Sequence, residues 1–167
     1  MGILSGMFVR YFVEIPLPHE EVEAALLRDP DSWVPGFAQE AEEHGEALLA
    51  EVGFGGESLR VERTVAIELA QPIRVSSKML LPLRWTAAKR ATLFPALDAD
   101  IEVAAIGPGR TQLSMSGRYD PPLGAVGRAI DRALLHRIAE ATVKDFLDRV
   151  AGRLGQGAGE TSEPSRR

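Results

Sequence analysis

The chain has 167 residues, of which 45% are hydrophobic, 26% charged and 6% aromatic, and it contains no cysteine. This composition excludes a disordered, low-hydrophobicity chain, and the missing cysteine excludes disulfide scaffolds, thiolate zinc sites, iron–sulfur ligation and cysteine nucleophiles. With 19 Lys and Arg against 24 Asp and Glu, the formal charge of −5 repels phosphate backbones, so nucleic acid is not an expected partner.

A single domain near this length buries about 70% of the surface its unfolded chain exposes, so its core needs neither metal nor disulfide. No run nears the roughly 18 apolar residues of a membrane span. The opening Met1–Gly6 lacks the basic and apolar regions of a signal peptide, and Gly6 departs from the myristoylation pattern. The expectation is a cytoplasmic protein with an extension at residues 1–6, one domain at 7–154 and a disordered tail at 155–167, with Met7 as an alternative start.

Phe8 to Ile15 is rich in β-branched and aromatic residues and meets Pro16 and Pro18, which predicts a first strand. His19 to Leu27 opens with Glu20 and Glu21, the charge that suits a helix start, and Asp29-Pro30-Asp31 breaks it. Ser32 to Gly45, with Trp33, Pro35 and Gly36, predicts a loop and a short helix.

From Glu46 onward the period becomes two. Leu59, Val61, Val65, Ile67 and Leu69 alternate with polar neighbours, as do Ile73, Val75, Met79, Leu81, Leu83 and Trp85, and again Leu113, Met115 and Tyr119. Turns are expected at Gly53–Gly56, Pro95–Asp98 and Gly107–Gly109. The count is about six strands in one curved antiparallel sheet with a single dry face. Pro121-Pro122 ends the last strand, and Leu123 to Leu154 predicts one long helix stopping at Gly155. Its apolar positions fall on two sides: Val126, Ile130, Leu134, Ile138 and Ala141 on one, Val143, Leu147, Val150 and Leu154 on the other. The order strand, short helices, meander, long helix is an α+β arrangement in which that helix covers the sheet.

Three stretches carry a family likeness: Phe8–Val13 followed by Pro18–Val22, then Trp33-Val34-Pro35-Gly36, and above all Gly117-Arg118-Tyr119-Asp120-Pro121-Pro122-Leu123-Gly124. Across Phe8 to Leu154 the chain resembles the helix-grip, START-like (SRPBCC) superfamily, which includes polyketide cyclases, coenzyme Q-binding proteins and plant pollen-allergen proteins. The resemblance implies a curved sheet wrapped around the C-terminal helix, with a cavity between them for a lipid-like or polyaromatic molecule. The expected partner is therefore a small hydrophobic molecule, no cofactor is expected, and a homodimer is left open.

Arg63 breaks the apolar parity of its strand: a buried guanidinium must be paired, by a ligand's anionic or carbonyl group or by a structural carboxylate such as Glu14, Glu62 or Asp100, unless a bulge or a strand edge returns it to solvent. Met79, Leu81, Trp85, Met115 and Tyr119 on the sheet, with Val126, Ile130 and Leu134 on the helix, are the other expected ligand contacts, and Trp33 is the expected gate. His136 and Glu140 stand one helical turn apart, but on a side away from Val126, Ile130 and Leu134, which disfavours a proton-transfer role. No metal-ligand spacing, phosphate loop or nucleophile elbow is present, and no residue is expected to be catalytic. A carrier of a hydrophobic molecule fits best. A cyclase or dehydratase in which Arg63 and Tyr119 orient carbonyls, and an interaction module without ligand, are the alternatives.

Overall fold

In the computed structural model the backbone is described at residues 7–34, 48–56, 59–87, 96–120 and 132–160, and the side chains likewise except at 31, 48–66, 86–87, 120, 132–135, 138 and 158–160. The strands are β1 (Met7–Ile15), β2 (Leu48–Gly56), β3 (Leu59–Leu69), β4 (Ile73–Val75), β5 (Lys78–Ala87), β6 (Ala96–Gly107) and β7 (Arg110–Asp120). The helices are α1 (His19–Arg28), α2 (Pro30–Trp33) and, at the C-terminal end, α3 (Arg132–Glu160). The strands form one antiparallel sheet in the order β1-β7-β6-β5-β3-β2, with β4 appended to β5. This is a helix-grip α+β fold with six principal strands.

The dry face follows from register. Met7 pairs with Tyr119, Leu97 with Tyr119 and with Trp85, and Trp85 with Ile67, so odd residues stand beside odd residues from β1 to β3. Val9, Ile15, Ile67, Met79, Leu81, Leu83, Trp85, Leu97, Ala99, Ile101, Val103, Leu113, Met115 and Tyr119 are accordingly buried. Each buried large aliphatic side chain contributes about 1.5–3 kcal/mol.

Two expectations from parity fail at β4. Ile73 and Val75 are half exposed, because Ser76, at φ 54, and Ser77 turn the chain and lay β4 back on β5. Ile73 then stands opposite Leu80 and Val75 opposite Lys78, on the outer face, while Arg74 stands opposite Met79. Arg74 thereby reaches the nearly buried Glu23 of α1, which also holds His19 Nε2 at 3.3 Å. The turn foreseen at Pro95–Asp98 is also not where expected at its far end: Ala96–Asp98 belong to β6, and Pro95 lies outside the described residues. The Gly107–Gly109 turn is where expected, with Gly109 at φ +68, where a side chain would be strained.

The terminal helix differs at its far end. It continues to Glu160 rather than stopping at Gly155, since glycine weakens a helix by about 1 kcal/mol but, unlike proline, removes no hydrogen bond of the ladder. Its buried residues are Ala139, Thr142, Val143, Phe146, Leu147, Val150 and Leu154, which include all four of the second stripe in the sequence and add Ala139, Thr142 and Phe146. It packs on β1, β2 and β7 and on both short helices.

Gly117 has no side chain for a reason the sequence did not reveal. A Cβ there would lie 2.3 Å from the carbonyl oxygen of Asp98 and 2.5 Å from the Cβ of Ala99, so the residue permits a close approach of β6 rather than lining a hollow. Gly117→Ala should destabilise the protein by about 1–3 kcal/mol, the usual cost of overpacking. Urea unfolding followed by circular dichroism checks this, and an unchanged midpoint would refute the account.

Candidate functional site

The helix backbone approaches the sheet mainly at its margins, β1 and β2, and at β7 next to one margin. Across the middle strands the gap is spanned by side chains: Trp85 of β5 meets Phe146 of α3 edge to face, with ring centroids 5.3 Å apart. Trp85 belongs to a cross-strand row, Tyr119–Leu97–Trp85–Ile67, which lies at the end of the sheet where α3 enters.

Tyr119 closes that row with a polar group. It is fully buried, its hydroxyl donates to Met7 Sδ at 3.2 Å, and its ring stacks on His136 with centroids 6.4 Å apart and planes 28° apart. His136 lies on the same helical face as Val143, Leu147 and Leu154, with its side chain partly exposed beside Tyr119, while the side chains of Val126, Ile130 and Leu134, from which it was expected to point away, lie outside the described residues. Its Nε2 stands 3.1 Å from Glu140 Oε1, and its Nδ1 is buried with no hydrogen-bond partner among the described residues. The sequence reading named this pair but set it aside, because it oriented the helix by Val126, Ile130 and Leu134. The signal available was Val143, Leu147, Val150 and Leu154, with His136 one heptad before Val143.

At the β1 margin a second polar group ties sheet to helix. Tyr11 donates to Asp148 Oδ1 at 2.9 Å, Lys144 Nζ meets Asp148 Oδ2 at 2.6 Å, and Lys144 also lies 5.2 Å over the Tyr11 ring. Burial, then the Asp148 carboxylate, raises the Tyr11 phenol above its ordinary value, and the hydrogen bond to Asp148 raises Lys144.

The expected contacts Met79, Leu81, Trp85, Met115 and Tyr119 are brought together on the buried concave face. Val126 and Ile130 lie outside the described residues, and Leu134 and Arg63 are described only in backbone; Arg63 stands opposite Val52. Trp33, expected as a gate, is 1% exposed, and its indole donates to the Leu26 carbonyl at 2.9 Å, which ties α2 to α1 as a packed core residue. Among the described residues no three His, Asp or Glu side chains gather as a metal would require, and no helix is long and apolar enough to cross a membrane.

Solved structures place this architecture among known folds. A conserved protein from Geobacillus kaustophilus superposes with a TM-score of 0.56 at 18% identity, covering 89% of this chain and 95% of that one. A START superfamily protein from Mycobacterium smegmatis gives 0.50 at 13% identity, over 94% of this chain and 100% of its own. The Zhui aromatase/cyclase from Streptomyces sp. R1128 gives 0.50 at 12% identity, over 95% and 99%. The chain therefore has the START-like helix-grip fold. No family model matches it, and no curated protein matches it. At these identities the likeness carries the fold and no residue roles.

The marginal group makes stability depend on alkaline pH. Tyr11 and Lys144 both hold their protons more tightly in the fold than at their ordinary values of 10.0 and 10.5. Their contribution is complete below those values and is lost as pH rises through the raised ones. The urea midpoint should fall as pH rises above about 10, and that of Tyr11→Phe should fall less steeply. Identical slopes for the two proteins would show that the Tyr11–Asp148–Lys144 group does not carry the effect.

Proposed function

We propose that this protein binds a small hydrophobic molecule between the concave face of the sheet and α3, as a carrier or binding module. The observation that carries the reading is that α3 touches the sheet chiefly at its margins, while the middle strands are bridged by side chains from an almost wholly apolar face. Apolar surroundings with a few convergent polar groups are what small-molecule sites provide. Here the polar groups are the Tyr119 hydroxyl and His136 at one end of the row. The fold supports the same reading, because a sheet curved around a helix produces an interior between them.

The role in this reading is binding rather than catalysis, and the buried face is lined mainly by aliphatic side chains. Arg63 is kept as a proposed contact to a polar part of the ligand.

The test is a titration of the full chain with 1-anilinonaphthalene-8-sulfonate. Saturable one-to-one binding is expected. Ala139→Met, which adds volume on the buried stripe facing the sheet, should weaken it by about tenfold or more while cooperative melting is retained. Absence of saturable binding by protein that melts cooperatively would overturn the proposal, as would full affinity in a folded Ala139→Met variant.

A further inference from the structure

We infer that the polar end of this interior selects a ligand carrying a hydroxyl group on an aromatic or similarly flat skeleton, with His136 Nδ1 accepting a hydrogen bond from that hydroxyl. The inference rests on the binding reading above and adds the ligand's chemistry to it. Its starting point is the 3.1 Å approach of His136 Nε2 to the Glu140 carboxylate on the partly exposed side of the ring; a carboxylate can only accept, so this approach favours the tautomer with its hydrogen on Nε2. In the neutral ring the other nitrogen is then a lone-pair acceptor. That nitrogen, Nδ1, is buried and lacks a partner among the described residues. A buried acceptor without a donor is an unfavourable arrangement that a ligand hydroxyl resolves.

The surroundings decide the rest of the ligand. The Tyr119 hydroxyl is directed at Met7 Sδ and so does not serve His136 Nδ1. The stacked rings of Tyr119 and His136, followed along the row by Leu97 and Trp85, present flat and apolar neighbours to whatever meets Nδ1. A carbonyl or ether oxygen at the same place would set one acceptor against another. A hydroxyl supplies the missing hydrogen. Glu140 favours that tautomer and is a positioning residue; His136 is the contact.

The experiment compares 2-naphthol with 2-methoxynaphthalene, which shares the skeleton but has no hydrogen to donate, by titration against the unaltered chain and His136→Phe. Phe keeps an aromatic ring beside Tyr119 and removes the acceptor. The ratio of the two affinities should fall about tenfold in His136→Phe, or about 1.4 kcal/mol, with 2-methoxynaphthalene binding changed by less than about twofold. An unchanged ratio in a folded variant overturns the hydroxyl assignment and leaves the binding reading standing. Failure of both naphthalenes and of the anilinonaphthalene probe to bind the folded chain overturns both. If His136→Phe does not fold, imidazole nitrogen-15 spectra of the unaltered chain, which has three histidines, make the same decision. An Nδ1 shift with 2-naphthol but not with 2-methoxynaphthalene supports the assignment, and equal shifts or none refute it.

Discussion

Parity across five strands is the constraint on which this molecule depends. Every pairing from β1 through β7, β6 and β5 to β3 matches odd residues with odd residues, up to the bulge between Ala105 and Gly107. A slip of one residue at any of these ladders would carry Met79, Ile101 or Met115 to the outer face and bring charged neighbours inward. The shared parity produces one continuous apolar surface, and curvature wraps that surface around α3. Gly117, pressed against Asp98 and Ala99, marks a place where the curvature leaves no room for a side chain.

The helix and the sheet meet unevenly as a result. Backbones come close at β1 and β2, where polar and charged groups such as Tyr11, Lys144 and Asp148 can reach across and still touch water. Over the middle strands the contact is made by long aromatic side chains, Trp85 and Phe146, and the apolar row ends in the Tyr119–His136 stack. The architecture therefore separates two kinds of polar group. One fastens the margin, and the other sits at the end of the interior with a nitrogen that has no partner among the described residues.

Much of this was legible in the chain because alternation survives in the residues themselves. Apolar odd positions from Met79 to Trp85 and from Leu113 to Tyr119 identified the buried face correctly, and the proline-bounded first strand and acid-led first helix were equally plain. Ile73 and Val75 misled because a reversal made by two serines carries none of the glycine, proline or asparagine signals of a hairpin. His136 was set aside because a long helix with two apolar sides does not announce which one the sheet will take; in the described part of the helix, packing buries Phe146 and Leu147. Arg63 was singled out by its parity alone, and its side chain lies outside the described residues.

The last turns of α3 have a different character from the gripped part. Gly152, Gly155 and Gly157 follow one another there, and an added methyl at any of the three would meet nothing within 4 Å. Each glycine carries a propensity deficit of about 1 kcal/mol relative to alanine. The backbone beyond the buried Leu154 is therefore intrinsically weaker, and amide exchange should quicken from Gly155 outward while the stretch from Ala139 to Val150 remains protected. A single helix thus joins a part clamped into the interior to a part whose own sequence resists being helical.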